Sequence, residues 1–286
     1  MFYKILDEMF SDIKEYKDIK KGKGIRGKLI TIINPSAQKL AAIVEAIHLA
    51  SLLHDDVIDN ANIRRGAISI NAKYGEHIAV MLGDIIYSKA FFELTKFPSE
   101  IASLISNAVY LLSKGELEDV KLSKSINLDK QKYMKMIYKK TASLIEAACG
   151  ASAISRDFPA ENFKTYGKNI GLAFQIVDDL LDIIQDEKTL GKPSMHDFYE
   201  GKVTLPYIYL FQRTKENEKN ELKKLYKKKL GKNDKEFILK LMQKYNVIED
   251  TFNEAKELIK QAKEAIKDFE IKELEEIADK IVKRTF

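Results

Sequence analysis

Gly171-Leu172-Ala173-Phe174-Gln175-Ile176-Val177-Asp178-Asp179-Leu180-Leu181-Asp182-Ile183-Ile184 is apolar nearly all round when wound as a helix, yet it carries three carboxylates. A helix that is hydrophobic on every side belongs in an interior. Buried carboxylates are costly unless they are paired or hold a metal. Asp178 and Asp182 share a face, and Gln175 lies one turn before Asp178 on it. A solvated acidic face explains this stretch poorly, because the neighbours are Ile, Val and Leu.

The same spacing of acids occurs once more, in Asp55-Asp56-Val57-Ile58-Asp59, at the end of a segment from Ala37 to Asn60. Steps of three, seven and four residues put Glu45, His48, Asp55 and Asp59 along one helical stripe, and Asp56 is about 100° away. Carboxylates four residues apart repel one another and weaken a helix, so three of them call for a cation. Mg²⁺ suits them, since it prefers oxygen ligands and binds through one or two carboxylates plus substrate phosphates. Taken alone, this triad reads equally well as a solvated helix end. Arg64-Arg65-Gly66 follows on a turn, where two cations can grip phosphate oxygens beside a metal.

Further basic residues accompany the acids. Lys23 and Arg26 lie in the glycine-bearing turn Lys21-Gly22-Lys23-Gly24-Ile25-Arg26, ahead of the first acidic helix. Lys140-Thr141 lies on a helix that ends near Gly150, and Lys192 and Lys202 flank the loop Gly191 to Gly201. Each alone would be an ordinary surface lysine or arginine; together with six aspartates they suit a site for diphosphates and divalent cations.

Apolar residues elsewhere recur at three- and four-residue spacing, as in Leu40, Ile43, Val44, Ile47 and in Ile238, Leu241, Met242, Tyr245, the mark of amphipathic helices. Alternating strand patterns are almost absent, and the five prolines fall where helices begin or loops turn. With no linker or composition break, residues 1–286 read as a single all-α domain, a helical bundle whose interior can hold a site. A net charge of +5 spread over the length, its densest run at Lys223 to Lys229, does not call for a nucleic-acid partner. The lone Cys149 sits among small residues, so it reads as a core thiol and fits a reducing compartment. No apolar run approaches the roughly 20 residues of a membrane span, and a soluble, cytoplasmic protein is expected.

Taken together, the two DDxxD triads with the Lys-Thr, Phe-Gln and Gly-Lys elements, in this order from about Lys21 to Pro206, resemble the trans-type polyprenyl diphosphate synthases. That resemblance implies an all-α barrel of long helices around a central cavity, usually a homodimer, which condenses isopentenyl diphosphate with an allylic diphosphate. It assigns Asp55, Asp56, Asp59, Asp178, Asp179 and Asp182 to Mg²⁺, three ions with substrate bound. Arg64, Lys140, Thr141, Gln175, Lys192 and Lys202 match the residues that grip the allylic substrate, and Lys23, Arg26, His48 and Arg65 match the isopentenyl diphosphate site. One motif departs: Lys21-Gly22-Lys23-Gly24-Ile25-Arg26-Gly27 stands where the family has Gly-Gly-Lys-Arg-x-Arg-Pro, so one Arg and the Pro are missing. The segment ahead of the first triad is also short for the family.

In the family the residues four and five places before the first triad set the floor of the product tunnel. Here they are Ser51 and Ala50, both small, which implies a product longer than fifteen carbons, octaprenyl-like. Tyr110 is a candidate for a deeper floor, with a plain core tyrosine as the alternative. A geranylgeranyl or farnesyl synthase, or a catalytically silent partner subunit, is the competing reading; such a subunit is expected to lose acids that this chain keeps. Glu45-Ala46-Ile47-His48 is an ExxH step as in di-iron bundles, but no second one exists. His54-Asp55 alone would suit an HD-type phosphohydrolase and leaves the second triad unexplained. A terpene cyclase ordinarily has Asn or Ser and Glu in its second motif, where this chain has Asp178 to Asp182.

Overall fold

The computed structural model describes residues 1–185 and 194–283. Its regular structure is helical apart from one two-stranded hairpin, as the periodicity predicts. By its internal contacts the chain divides into two compact units, Met1–Val109 with Glu146–Lys164, and Tyr110–Ile145 with Thr165–Phe286.

In the first unit the order is α1 (Phe2–Met9), α2 (Ile25–Ile33), α3 (Gln38–Ile58), strands β1 (Ile63–Arg64) and β2 (Ala67–Ile68), α4 (Ile70–Tyr74) and α5 (Glu76–Leu94). Helix α3 is its axis: every residue from Leu40 to Ile47 is buried, so its first half is enclosed all round and not merely on one stripe. Asn34-Pro35-Ser36 makes the turn before it, with the Asn34 side chain accepting hydrogen bonds from the Ser36 amide (3.1 Å) and hydroxyl (2.7 Å). Arg65 and Gly66 take left-handed φ angles of 54° and 71°, the conformation that a two-residue antiparallel hairpin requires. The start of α6 (Ser99–Leu122) follows Pro98, and the start of α9 (Ala160–Ile184) follows Pro159.

In the second unit α7 (Lys130–Ile137) runs through a π-helical turn, Tyr138–Ala142, into the first three residues of α8 (Ser143–Ile154), the rest of which belongs to the first unit. Most of α9 lies in this unit, followed by α10 (His196–Glu200), α11 (Leu205–Arg213), α12 (Glu216–Leu225), α13 (Lys232–Lys244), α14 (Val247–Ile266) and α15 (Lys272–Val282). Phe198 of α10 stacks on Tyr207 at 4.4 Å and meets Tyr226 edge-on at 5.7 Å. Phe198 and Tyr207 are fully buried, and each such side chain contributes roughly 1.5–3 kcal/mol. That core anchors α10 beneath the site described below. Cys149 is buried with no disulfide partner, as read. No described helix is long and apolar enough to cross a membrane.

One buried acid fastens α5 to α3. Glu93 accepts hydrogen bonds from Lys96 (2.9 Å to each oxygen) and pairs with Lys39 of α3 (2.7 Å). The bonds to Lys39 and Lys96 pull its carboxyl down to about 2 from the usual 4.5, against the effect of burial. A depressed folded-state pKa means that the stabilisation is complete above about pH 4.5 and fades as the pH falls toward 2. Because the lysines are half exposed, the pairs together are worth about 1 kcal/mol. Glu93→Gln is therefore expected to lower the melting temperature at pH 7 by a few degrees, with the gap to the unaltered chain closing as melts are repeated toward pH 3; a gap independent of pH would show that the ion pairs are not its cause.

Candidate active site

The first triad sits at the end of α3. Asp55 and Asp56 lie in its last turn, and Asp59 follows the helix, its amide closing on the Asp55 carbonyl at 2.8 Å. Asp56 turns inward and is 3% exposed; Asp55 and Asp59 are half-buried. This agrees with the angular offset of Asp56 from the stripe. Arg64, on the hairpin, puts Nε 2.6 Å from Asp56 Oδ1 and Nη2 on the same oxygen. Burial raises the Asp56 carboxyl above its usual range, and Arg64 works against that rise. The hairpin is docked here by backbone bonds as well: the Ala61 amide and the Asn71 side chain both donate to the Asp56 carbonyl.

Arg65 points its guanidinium elsewhere, donating to the Lys20 carbonyl at 3.0 Å. His48 sits among charges: burial and the nearby Arg26, Arg65 and Arg64 hold its pKa well below 6.5, so the imidazole is neutral at pH 7. Glu45, one turn before it, accepts the Gly27 amide at 2.8 Å and lends its negative charge to Arg26 and Arg65. The ExxH step thus caps α2 and steadies arginines. Arg26 Nε is buried with no hydrogen-bond partner, and Lys23 is exposed on the adjoining loop. The charges of Arg26, Arg65 and Arg64 are thus felt at one neutral imidazole, a setting that favours a polyanion without a metal.

The second triad divides differently from the sequence reading. Asp178 is exposed, whereas Asp179 and Asp182 are 5% and 3% exposed. The Gln175 amide donates to Asp179 Oδ1 at 2.8 Å, so the glutamine serves the acid four residues on, where Asp178 was expected. Tyr133 donates to Asp179 Oδ2 at 2.5 Å, and Thr141 donates to Gln175 Oε1 at 2.7 Å. Asp182 Oδ2 accepts the Asp197 amide at 3.2 Å and its backbone carbonyl accepts the Met195 amide at 2.7 Å, which docks α10 against the triad. All four aspartates line one cavity of about 360 Å³, together with Lys140 and Lys202. Burial, then the charges of Asp197 and Asp178, push the Asp179 carboxyl well above its usual range, against the hydrogen bonds from Tyr133 and Gln175.

Both cavity lysines pair with acids of the chain: Lys140 with Asp119 (2.7 Å) and Glu116 (2.8 Å), Lys202 with Glu200 (2.8 Å). Lys192 lies outside the described residues. Among the described residues no three His, Cys, Asp or Glu are gathered closely enough to hold a metal by themselves. The carboxylates are hard oxygen donors spread along the cavity, a set that suits a cation taking its remaining ligands from a phosphate. Asp197 and Tyr133 escape sequence reasoning. Tyr133 is 46 residues from its partner, and Asp197 occupies a short helix without a repeat of the triad spacing.

Lys140 and Thr141 stand on the π-helical turn, a departure from the α-helix that recurs at functional sites. Two glycines press on it. A Cβ on Gly115 of α6 would lie 2.7 Å from the Lys140 Cα, and a Cβ on Gly171 of α9 would lie 2.6 Å from the Ala142 Cα. Backbone atoms cannot give way as a flexible side chain can, so both positions must lack a side chain for the turn to keep its place.

A helical fold bearing an acid-lined cavity with lysines, and arginine charges gathered at a neutral histidine, suits an enzyme that acts on anionic substrates. The polyprenyl synthetase family pattern matches residues 7–244, and the chain belongs to that family of prenyltransferases. It is 33% identical over 263 residues to a short chain isoprenyl diphosphate synthase of Methanothermobacter thermautotrophicus, covering 87% of this chain and 80% of the relative. Its structure is similar to the octaprenyl pyrophosphate synthase of Helicobacter pylori, with a TM-score of 0.93, 41% identity and coverage of 98% and 97%. It is also similar to a polyprenyl synthase of Caulobacter crescentus complexed with calcium and isoprenyl diphosphate, with a TM-score of 0.89, 30% identity and coverage of 98% and 93%. The all-α isoprenoid-synthase fold is thereby established.

The glycine contacts lead to a direct expectation. Gly115→Ala and Gly171→Ala should each cost about 1–3 kcal/mol of stability through overpacking and lower prenyl transfer at least tenfold by shifting Lys140 and Thr141. Gly150→Ala, whose added methyl meets side-chain atoms of Lys164 and Leu104 and no backbone atom, is the comparison and should cost less stability and leave prenyl transfer within about threefold. Steady-state rates and thermal melts of the three variants check this; equal effects would remove the special status of the π-turn.

Proposed function

We propose that the chain lengthens an allylic diphosphate by adding isopentenyl units, within one synthase domain spanning residues 1–286, to give a trans-polyprenyl diphosphate of more than fifteen carbons. The observation that carries this is the difference in character between the two anion sites. The cavity around Asp178, Asp179 and Asp182 is acidic and accepts a diphosphate only with divalent cations. The surroundings of His48 are cationic, with the charges of Arg26, Arg65 and Arg64 felt there, and suit one directly. A reaction that joins two diphosphate esters, one ionised with metal assistance and one held intact, needs that pair of sites.

Asp55, Asp56, Asp59, Asp178, Asp179 and Asp182 are the residues that would hold Mg²⁺, three ions by the family resemblance, and their hard oxygens fit it. Bound Mg²⁺ stabilises the charge of a departing diphosphate. Lys140, Lys202 and Lys192 would grip its oxygens, with Thr141, Gln175 and Arg64 completing the allylic site; Lys140 and Lys202 would exchange their present acidic partners for phosphate. Lys23, Arg26, Arg65 and neutral His48 would hold isopentenyl diphosphate so that its double bond meets the allylic cation. A proton then leaves, and the released diphosphate is its acceptor. Buried apolar walls such as Leu49 and Leu53 keep water from quenching the cation.

Ala50 and Ser51 are buried and small, and the Ser51 hydroxyl is used by the His48 carbonyl at 2.8 Å. Their small size is what supports a product that grows past the triad. Tyr110 is 59% exposed in the single chain, which fits neither a deeper tunnel floor nor the core tyrosine considered from sequence. A homodimer is part of this proposal: Ile78, Met81, Ile85 and Phe92 line an exposed apolar face of α5 that a second copy would cover. So is a cytoplasmic location, with no nucleic-acid partner.

Labelled isopentenyl diphosphate offered with allylic primers of increasing length should be incorporated only with Mg²⁺ present, and a chelator should abolish incorporation; metal-independent incorporation would overturn the assignment of the triads. Ala50→Phe should shorten the main product while leaving the first condensation intact. An unchanged product distribution would remove α3 from control of chain length.

A further inference from the structure

We propose that Phe2 and Tyr3 of α1 are positioning residues that hold the loop carrying Lys23 and the first turn of α2 carrying Arg26, and so set the affinity for isopentenyl diphosphate without touching it. The inference rests on the function proposed above. Residues 19–24 lead straight into the first turn of α2, which carries Arg26, and have no regular secondary structure, so nothing of their own keeps Lys23 in place. Two outside groups do. Arg65 donates to the Lys20 carbonyl at 3.0 Å and lies against Gly22; Tyr3 donates its hydroxyl to the Gly22 carbonyl at 2.7 Å.

The glycines of this loop show how closely the rings fit. Gly24 has φ of 63°, and a Cβ there would lie 2.7 Å from the Tyr3 hydroxyl and 2.9 Å from the Phe2 ring. A Cβ on Gly27 would lie 2.8 Å from two atoms of the Phe2 ring. These are the two positions at which the Arg and the Pro of the family motif are missing. Here the tilted pair Phe2–Tyr3, 4.6 Å between centroids, fills the space in which those side chains would begin. The departure in the motif and the aromatic pair therefore share one space: the rings of α1 brace the backbone at Gly24 and Gly27, where the family has an arginine and a proline. Helix α1 is itself tied to the loop by the ion pair of Lys21 with Asp7, whose carboxylate also accepts the Tyr16 hydroxyl at 3.1 Å. A loop held in its binding conformation binds more tightly than one ordered by its ligand.

The test is steady-state kinetics of the full chain, tagged at its C-terminus, as the unaltered protein, Tyr3→Phe and Phe2→Leu. Tyr3→Phe removes one hydrogen bond and keeps the ring. The KM for isopentenyl diphosphate should rise about threefold to tenfold, the worth of one hydrogen bond, while kcat and the KM for the allylic diphosphate stay within about twofold. Phe2→Leu should move the same constant in the same direction. Unchanged KM values in both variants, or equal rises for both substrates, would overturn the inference. Loss of fold in Tyr3→Phe would also overturn it, since the hydroxyl would then support the whole unit and not the loop. If the unaltered chain makes no prenyl product, the functional reading fails; if it does and the variants match it, only the positioning role fails.

Discussion

Asp179 is enclosed by protein, with Asp178 and Asp197 close enough to oppose its ionisation and Asp182 one turn further on. Carboxylates so crowded cannot all carry charge in an interior unless cations or hydrogen-bond donors accompany them. The surroundings of α9 follow from that constraint. Tyr133, Gln175 and the Asp197 amide supply donors to the inner acids, while Asp178 faces the opening of the cavity and stays exposed. The same crowding that burdens the fold is what would draw divalent cations, and with them an anionic substrate, in the function proposed above.

The arginine pocket solves the complementary problem. Arg26 and Arg65 feel the negative charge of one buried glutamate, and the histidine near them is kept neutral by burial and by their charge. It therefore offers hydrogen bonds and no charge of its own. Adjacent residues of one tight hairpin thus serve different ends: Arg64 neutralises a triad aspartate, and Arg65 braces a loop.

Much of this was legible in the sequence. The three- and four-residue spacing identified the helices, prolines 98 and 159 marked where α6 and α9 begin, and Arg65-Gly66 was read as the turn it is. The triads announced themselves because acids inside an apolar helix have few innocent explanations. Which acid turned inward was not legible: Asp178 and Asp179 differ by 100° of rotation, and only packing decides which of the two faces the interior. Nor could Tyr133, Asp197 or the pressure of Gly115 on Lys140 be read, since each depends on a partner far along the chain. The aromatic pair on α1 belongs to the same class, for nothing local in Phe2-Tyr3 says that it fills the place of a missing arginine and proline.

Both triads end long helices, α3 of 21 residues and α9 of 25. The peptide units of a helix leave partial negative charge at its C-terminal pole, where lysine or arginine is the favourable occupant and aspartate is not. Each triad therefore adds its formal charge to a pole that is already negative, and the potential there exceeds what counting carboxylates suggests. On the function proposed above, a divalent ion at either end would serve as the missing C-terminal cation, securing the last turn of the helix as well as the substrate.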